Sequence, residues 1–167
     1  MTFAEEIQPI IDYFSRNNYT VSEQWPDYVQ LESNKAQFVF SKDPRDNAIS
    51  IFVGPHELHD EIIEKIFKIK LEHDVSFSES LIQFFEGPGK SLLNGDQSVL
   101  ENIKQVSDEL AAAYTSEILL KQKINTLDSL WQTKDYSRFI KLMDQTDQES
   151  LPRHYQLRYN IAKKQLH

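Results

Sequence analysis

The hydrophobic period of this chain changes twice, from helical to alternating and back. Phe3, Ile7, Ile10, Ile11 and Phe14 recur at the three- and four-residue intervals of one helix face. Thr2-Phe3-Ala4-Glu5 just ahead has capping-box spacing, in which the hydroxyl and the carboxylate cover each other's free amides. Pro9 lacks an amide and clashes one turn back, which predicts a kink there or a helix starting later than Thr2. Asn17-Asn18 predicts its end, because Asn tolerates left-handed backbone. Period two follows. Val29 and Leu31 share one face, with Tyr28, Gln30 and Glu32 on the other. Ala36, Phe38 and Phe40 share a face, as do Ile49, Ile51 and Val53. Ser33-Asn34-Lys35 supplies a tight hairpin whose register sets Val29 and Leu31 against the Phe38/Phe40 face. Asp43-Pro44-Arg45-Asp46 reads as a turn with Pro at its second position. Residues 19–25 supply an optional fourth strand before the other three.

Beyond Glu57 the helical period returns. Leu58, Ile62, Ile63, Ile66 and Phe67 mark a short helix, and residues 68–75 either extend it or run briefly extended. Ser76-Phe77-Ser78-Glu79 is a second capping-box match, opening a helix through Leu81, Ile82, Phe84 and Phe85 that stops at Gly87-Pro88-Gly89. Ser98-Val99-Leu100-Glu101 is a third. Val99, Ile103, Val106, Leu110, Tyr114, Ile118 and Ile124 then predict a long amphipathic helix to about Asn125. Two more helices are expected, over 127–143 with a break around Lys134, and over 151–165 with Pro152 in the first turn. The fold class is therefore α+β: an N-terminal helix, an antiparallel meander of three to four strands, and a mainly helical C-terminal half packed on it. One domain over 1–167 is expected, with Gly87-Pro88-Gly89 as a hinge between an acidic α+β half (1–86) and a helical half (90–167).

Charge changes the picture more than composition does. The 167 residues carry 18 Lys+Arg against 26 Asp+Glu, a formal net charge of −8. Residues 1–86 hold 16 acidic and 7 basic side chains, a balance of −9, whereas residues 87–167 hold 10 and 11, a balance of +1. Such a field repels phosphate and draws cationic partners, so direct nucleic-acid binding and an anionic membrane surface are disfavoured. Cysteine is absent, which excludes disulfides, thiolate metal sites and a Cys nucleophile. No apolar run reaches a membrane span, and MTFAEEIQPI lacks the basic start of a signal peptide, so a cytoplasmic setting is expected.

Candidate chemistry is sparse. His56 and His59 stand three apart, not the four that place two His on one helix face beside a catalytic Glu, and no third ligand is near. Glu57/Glu61 and Glu61/Glu64 would share a helix face, but solvated surface charge explains them. Gly87-Pro88-Gly89-Lys90-Ser91 ends like a phosphate loop but lacks its earlier Gly and preceding strand. No catalytic residue, metal site or cofactor is expected. The leading contact candidates are turn and helix-start charges with flanking aromatics: Trp25, Asp27, Tyr28, Asp43, Asp46, Glu57, Asp60, Glu61 and Glu64.

Two resemblances add to this reading. Leu130-Trp131-Gln132-Thr133-Lys134-Asp135-Tyr136-Ser137-Arg138-Phe139-Ile140 resembles the turn between the paired helices of a tetratricopeptide repeat, with Lys134 at the turn Gly and Phe139 at the small residue. The match covers about 35 residues in one copy, whereas such repeats bury a continuous core from about three. The resemblance implies a helical hairpin. Over most of the chain, Tyr28-Val29-Gln30-Leu31, the string Phe38 to Asp46, Ile49-Ser50-Ile51-Phe52-Val53 and the closing helices around Tyr136 and 155–162 resemble small cytoplasmic immunity-like proteins of bacterial polymorphic toxin systems. That resemblance implies a non-enzymatic protein that binds a cognate toxin domain, a basic one where the toxin is a nuclease, and blocks it. An intracellular adaptor holding a peptide on its C-terminal hairpin, and an enzyme with a dispersed carboxylate/His site, are the alternatives.

Overall fold

The computed structural model describes residues 1–72 and 75–167. By internal contacts the chain forms two compact units, Met1–Glu109 and Leu110–His167. The division falls within one long helix. Gly87-Pro88-Gly89 lies inside the first unit.

In the first unit, α1 (Phe3–Arg16) begins at the expected capping box, both halves of which form. Pro9 lies inside this helix without ending it. Glu5 and Pro9 are both exposed, so water can reach the carbonyl that the missing amide leaves free. The helix closes where Asn18 turns left-handed (φ 66°) and the Tyr19 amide donates to the Phe14 carbonyl.

The sheet is a five-stranded antiparallel meander in the order β1-β2-β3-β4-β5. Its strands are β1 (Thr20–Trp25), β2 (Tyr28–Glu32), β3 (Gln37–Lys42), β4 (Ile49–Val53) and β5 (His56–Glu57). The optional first strand is present. The fifth, where a helix start was expected, forms because the chain reverses at Gly54 (φ 56°) and the Leu58 amide donates to the Ile51 carbonyl. Val29 faces Phe40 and Leu31 faces Phe38, so the hairpin register follows from the alternation. Val29, Leu31, Phe38, Phe40, Ile51 and Val53 are buried together, while Ile49 at the strand end is half-buried.

Aromatic rings join the helices to this face. Phe14 of α1 packs edge-on against Phe38 (4.9 Å), Phe40 (5.7 Å) and Phe85 (5.2 Å) of α3 (Phe77–Glu86). α2 (Asp60–Phe67) joins through Phe67 on Phe84, and buries Ile62 and Ile63. Residues 68–72 form neither helix nor strand; the remainder of the expected extension, residues 73 and 74, lies outside the described residues. The short α4 (Lys90–Leu93) buries Leu92 and Leu93, and the Leu93 carbonyl accepts a buried bond from the Tyr19 hydroxyl (2.8 Å).

Helix α5 (Gln97–Gln132) starts one residue before the expected cap. Asp96, rather than Ser98, covers the free amides: its carboxylate accepts from the Ser98 amide and hydroxyl. It continues past Asn125 because no Gly or Pro interrupts it and Leu127 is buried further on. The break near Lys134 (φ 57°) is therefore the end of α5, and not an interruption within a later helix. In the second unit, α5 is followed by α6 (Tyr136–Asp144), capped by Asp135, a single 3-10 turn (Gln148–Ser150), and α7 (Arg153–Gln165). Its core is Leu127, Phe139, Met143, Leu151, Tyr155 and Ala162. Asp128 holds that core's edge, accepting from the Tyr155 hydroxyl (2.8 Å) and the Arg158 guanidinium (2.7 Å). No helix among the described residues is long and apolar enough to cross a membrane.

Candidate protein-binding surface

The candidate residues fall into two groups. At one end of the sheet stand Trp25, Asp27, Tyr28, Asp43 and Asp46. Trp25 and Tyr28 are cross-strand neighbours flanking the β1–β2 turn. The Lys42 amide donates to the Asp27 carbonyl (2.9 Å), which ties that turn to the start of the β3–β4 loop. Within the loop Asp43 accepts from the Arg45 amide (2.8 Å) and Asp46 from the Ala48 amide (3.0 Å). These carboxylates therefore shape the loop while remaining at the surface. Trp25 is 61% exposed and Tyr28 half-buried.

The second group runs from β5 into α2. Glu57 pairs with Phe52 across the ladder and is exposed. Asp60 and Glu61 open α2, where carboxylates complement the helix dipole. Glu61 is paired with Lys65 and Glu64 with Lys70, each at 3.5 Å and well exposed. Lys65 and Lys70 thus screen Glu61 and Glu64.

One cleft of about 530 Å³ brings His59 together with Glu57, Asp60 and Glu72, beside Ile49 and Ser50. All four titratable groups are exposed to water. His56 lines a different cleft, of about 270 Å³, with Val53, Leu100 and Ile103. The two histidines do not converge, and no described group of three His, Asp or Glu side chains could hold a metal ion.

Pairing across the sheet shows a surface that the turn charges do not. Side chains opposite each other across a ladder share a face. Trp25, Tyr28, Ser41 and Ser50 form one row of the face turned away from Phe14. Glu23, Gln30, Val39, Phe52 and Glu57 form the next. Thr20, Glu32 and Gln37 form a third. A hydrogen-bonded ladder runs along this face. The Tyr28 hydroxyl donates to the Gln30 side-chain oxygen (2.8 Å), and the Gln30 amide to Glu32 Oε1 (2.6 Å). The Gln37 amide donates to the same oxygen (2.8 Å), and the Trp25 indole to Glu23 (3.2 Å). Burial, then the charges of Glu23 and Glu32, hold the Tyr28 phenol above the usual tyrosine range. Among the described residues, no helix contributes a hydrogen bond, ion pair or ring contact to these side chains.

Sequence reasoning placed Tyr28, Gln30 and Glu32 on one face but missed Glu23, Val39 and Phe52 as their neighbours. Val39 and Phe52 follow from the alternation once the strands are paired; for Glu23 the obstacle was a bulge in β1, where the register shifts between Val21 and Glu23. Val21 pairs with Leu31 on the core side, and strict alternation would put Glu23 and Trp25 there as well. The extra residue, Ser22, turns both onto the open side. No protein-family model, curated protein or solved structure matches the chain.

Proposed function

We propose that this chain is a non-enzymatic protein-binding module: an immunity-like inhibitor that binds and blocks a cognate toxin domain through the acidic surface of residues 1–86. The observation that supports this most directly is Trp25. A tryptophan 61% exposed beside surface carboxylates has no structural use for its ring in the first unit's core. Buried on binding, an aromatic of this size is the usual anchor of a protein interface. The surrounding negative field speeds encounter with a basic partner and disfavours nucleic acid and anionic membranes. A basic toxin domain, such as one acting on nucleic acid, fits that field. No cofactor enters this mechanism, and it is one of occlusion without turnover, in the cytoplasm.

The test is capture of the partner from the native cell, then reconstitution from purified components with an assay of the partner's own activity. Association should slow as salt rises, since the Debye length falls from about 10 Å at 0.1 M to about 3 Å at 1 M. Reversing Glu57, Glu61 and Glu64 to Lys should slow association without unfolding the protein. An on-rate indifferent to both defeats the acidic-surface mechanism. Purified protein that turns over a substrate in the His59 cleft defeats the reading altogether. The adaptor alternative has one observation in its favour: Leu157 and Ile161, one turn apart on α7, are 63% and 47% exposed. If alanines at those two positions abolish capture while the charge reversals do not, the adaptor reading replaces the first.

A further inference from the structure

The open face of the sheet differs from the other acidic surfaces of the chain in three respects. Among the described residues, its carboxylates Glu23, Glu32 and Glu57 have no cationic partner, whereas Glu61 and Glu64 on α2 each hold a lysine. The five strands contain one Lys and no Arg, and that Lys42 stands on the other face, bound to Glu6 of α1 at 3.1 Å. Glu32 is also pre-set: two amides converge on its Oε1, which fixes the carboxylate and leaves Oε2 without a partner. Aromatic surface, Trp25, Tyr28 and Phe52, is interleaved with these acids.

We infer that this face is the docking surface for an extended, arginine-bearing segment of a protein partner, whose guanidinium groups stack on Trp25 and Tyr28 and bond Glu23 and Glu32. The inference rests on the functional reading above and names the chemistry of its contact. Charge complementarity selects the occupant. A second copy of the chain would set three carboxylates against three, and like charges directly opposed are unfavourable. A phosphate backbone would meet the same repulsion. Arginine is favoured over lysine because its planar group both stacks on an aromatic ring and presents a fork to a carboxylate. The fixed Glu32 carboxylate lowers the ordering cost of that bond, since the Gln30 and Gln37 amides already hold it in place. The row from Glu23 to Glu57 crosses four strand spacings, about 19 Å, with a carboxylate at each end. An extended segment laid across it meets acid, aromatic and apolar surface in turn.

The experiment is a titration of the isotope-labelled full chain with a capped peptide of alternating Arg and Thr, followed by amide shifts. Matched peptides carry Lys or Glu in place of Arg. Saturable shifts are expected on Trp25, Tyr28, Glu32, Val39, Phe52 and Glu57, weaker with Lys and absent with Glu. Trp25→Ala and Glu32→Gln should each weaken binding about five- to tenfold. A double variant on α5, Glu101→Gln with Glu109→Gln, both exposed and away from this face, should leave it unchanged. Trp25 is exposed and Glu32→Gln keeps its shape, so both variants should melt as the parent does; a melt check separates lost binding from lost fold. Shifts centred on α2 or α7, shifts spread over every acidic residue, or affinity unchanged in both face variants would overturn the inference. The two readings fail separately. A reconstituted inhibitor complex that ignores Trp25→Ala and Glu32→Gln sinks the face and spares the function. Peptide binding at the face in a protein without any captured partner does the reverse.

Discussion

Truncating Phe38 to Ala should destabilise the first unit by about 3–5 kcal/mol. Phe38 has no exposed surface, and its ring lies edge-on to Phe14 at 4.9 Å, Tyr19 at 5.5 Å and Phe85 at 5.5 Å. Losing the ring's transfer from water costs about 2 kcal/mol. The remaining part, about 1–3 kcal/mol, is the void left when three fixed rings and two strands cannot collapse inward. The next residue supplies the control. Val39 sits on the open face and is half-buried, so Val39→Ala should cost about 1 kcal/mol or less. Two compact units make a single unfolding free energy unsafe. Amide cross-peaks followed through a urea titration read β2 and β3 separately from α6 and α7. The expected outcome is a lower midpoint for the β2 and β3 peaks in Phe38→Ala and a small change in Val39→Ala. A one-residue register slip would exchange the two faces. Val39→Ala as costly as Phe38→Ala, or Phe38→Ala costing under about 1 kcal/mol, would therefore refute the sheet register on which the docking face stands.

Three further outcomes are expected. Gly95 is left-handed (φ 65°), and a Cβ there would come within 2.4 Å of the Lys35 carbonyl oxygen, whereas Gly54 (φ 56°) has open space. Gly54→Ala should cost about 1–2 kcal/mol for its backbone and Gly95→Ala clearly more, read by thermal melts; equal costs would mean that the two loops do not meet. The Glu5 carboxyl titrates below the usual range, chiefly through the bond from the Thr2 amide and then that of its hydroxyl. A depressed folded value means that this stabilisation is present above the ordinary carboxylate pKa and is lost as pH falls through the folded one. Thr2→Ala should move the Glu5 midpoint part of the way up in a carbon-detected titration, since the amide remains; an unmoved midpoint would show that the hydroxyl does not act on the carboxylate. A chain ending at Gly87 loses Leu92, Leu93, Ile103 and the Tyr19–Leu93 bond, and should not melt cooperatively. A sharp transition in residues 1–87 would show that α4 and α5 are dispensable to the sheet.

Local rules decided a great deal in this chain. The period of its apolar residues marked α1, three strands of the meander and α3, because a helix or sheet with one wet face must alternate its side chains at 3.6 or 2. Turn chemistry did the same at Ser33 and at Asp43, where short side chains bond their own backbone. The charge split was likewise a property of the sequence alone. Tertiary structure decided the rest. Leu127 carries α5 past Asn125, because burial against a core outweighs one weak helix former. β5 exists because β4 offers it an edge. Glu23 and Trp25 reach the open face because Ser22 bulges, and one added residue reverses the side of every later side chain in the strand. Alternation along a sequence cannot show where it slips by one. That depends on which strand lies alongside, and only the folded sheet supplies the neighbour.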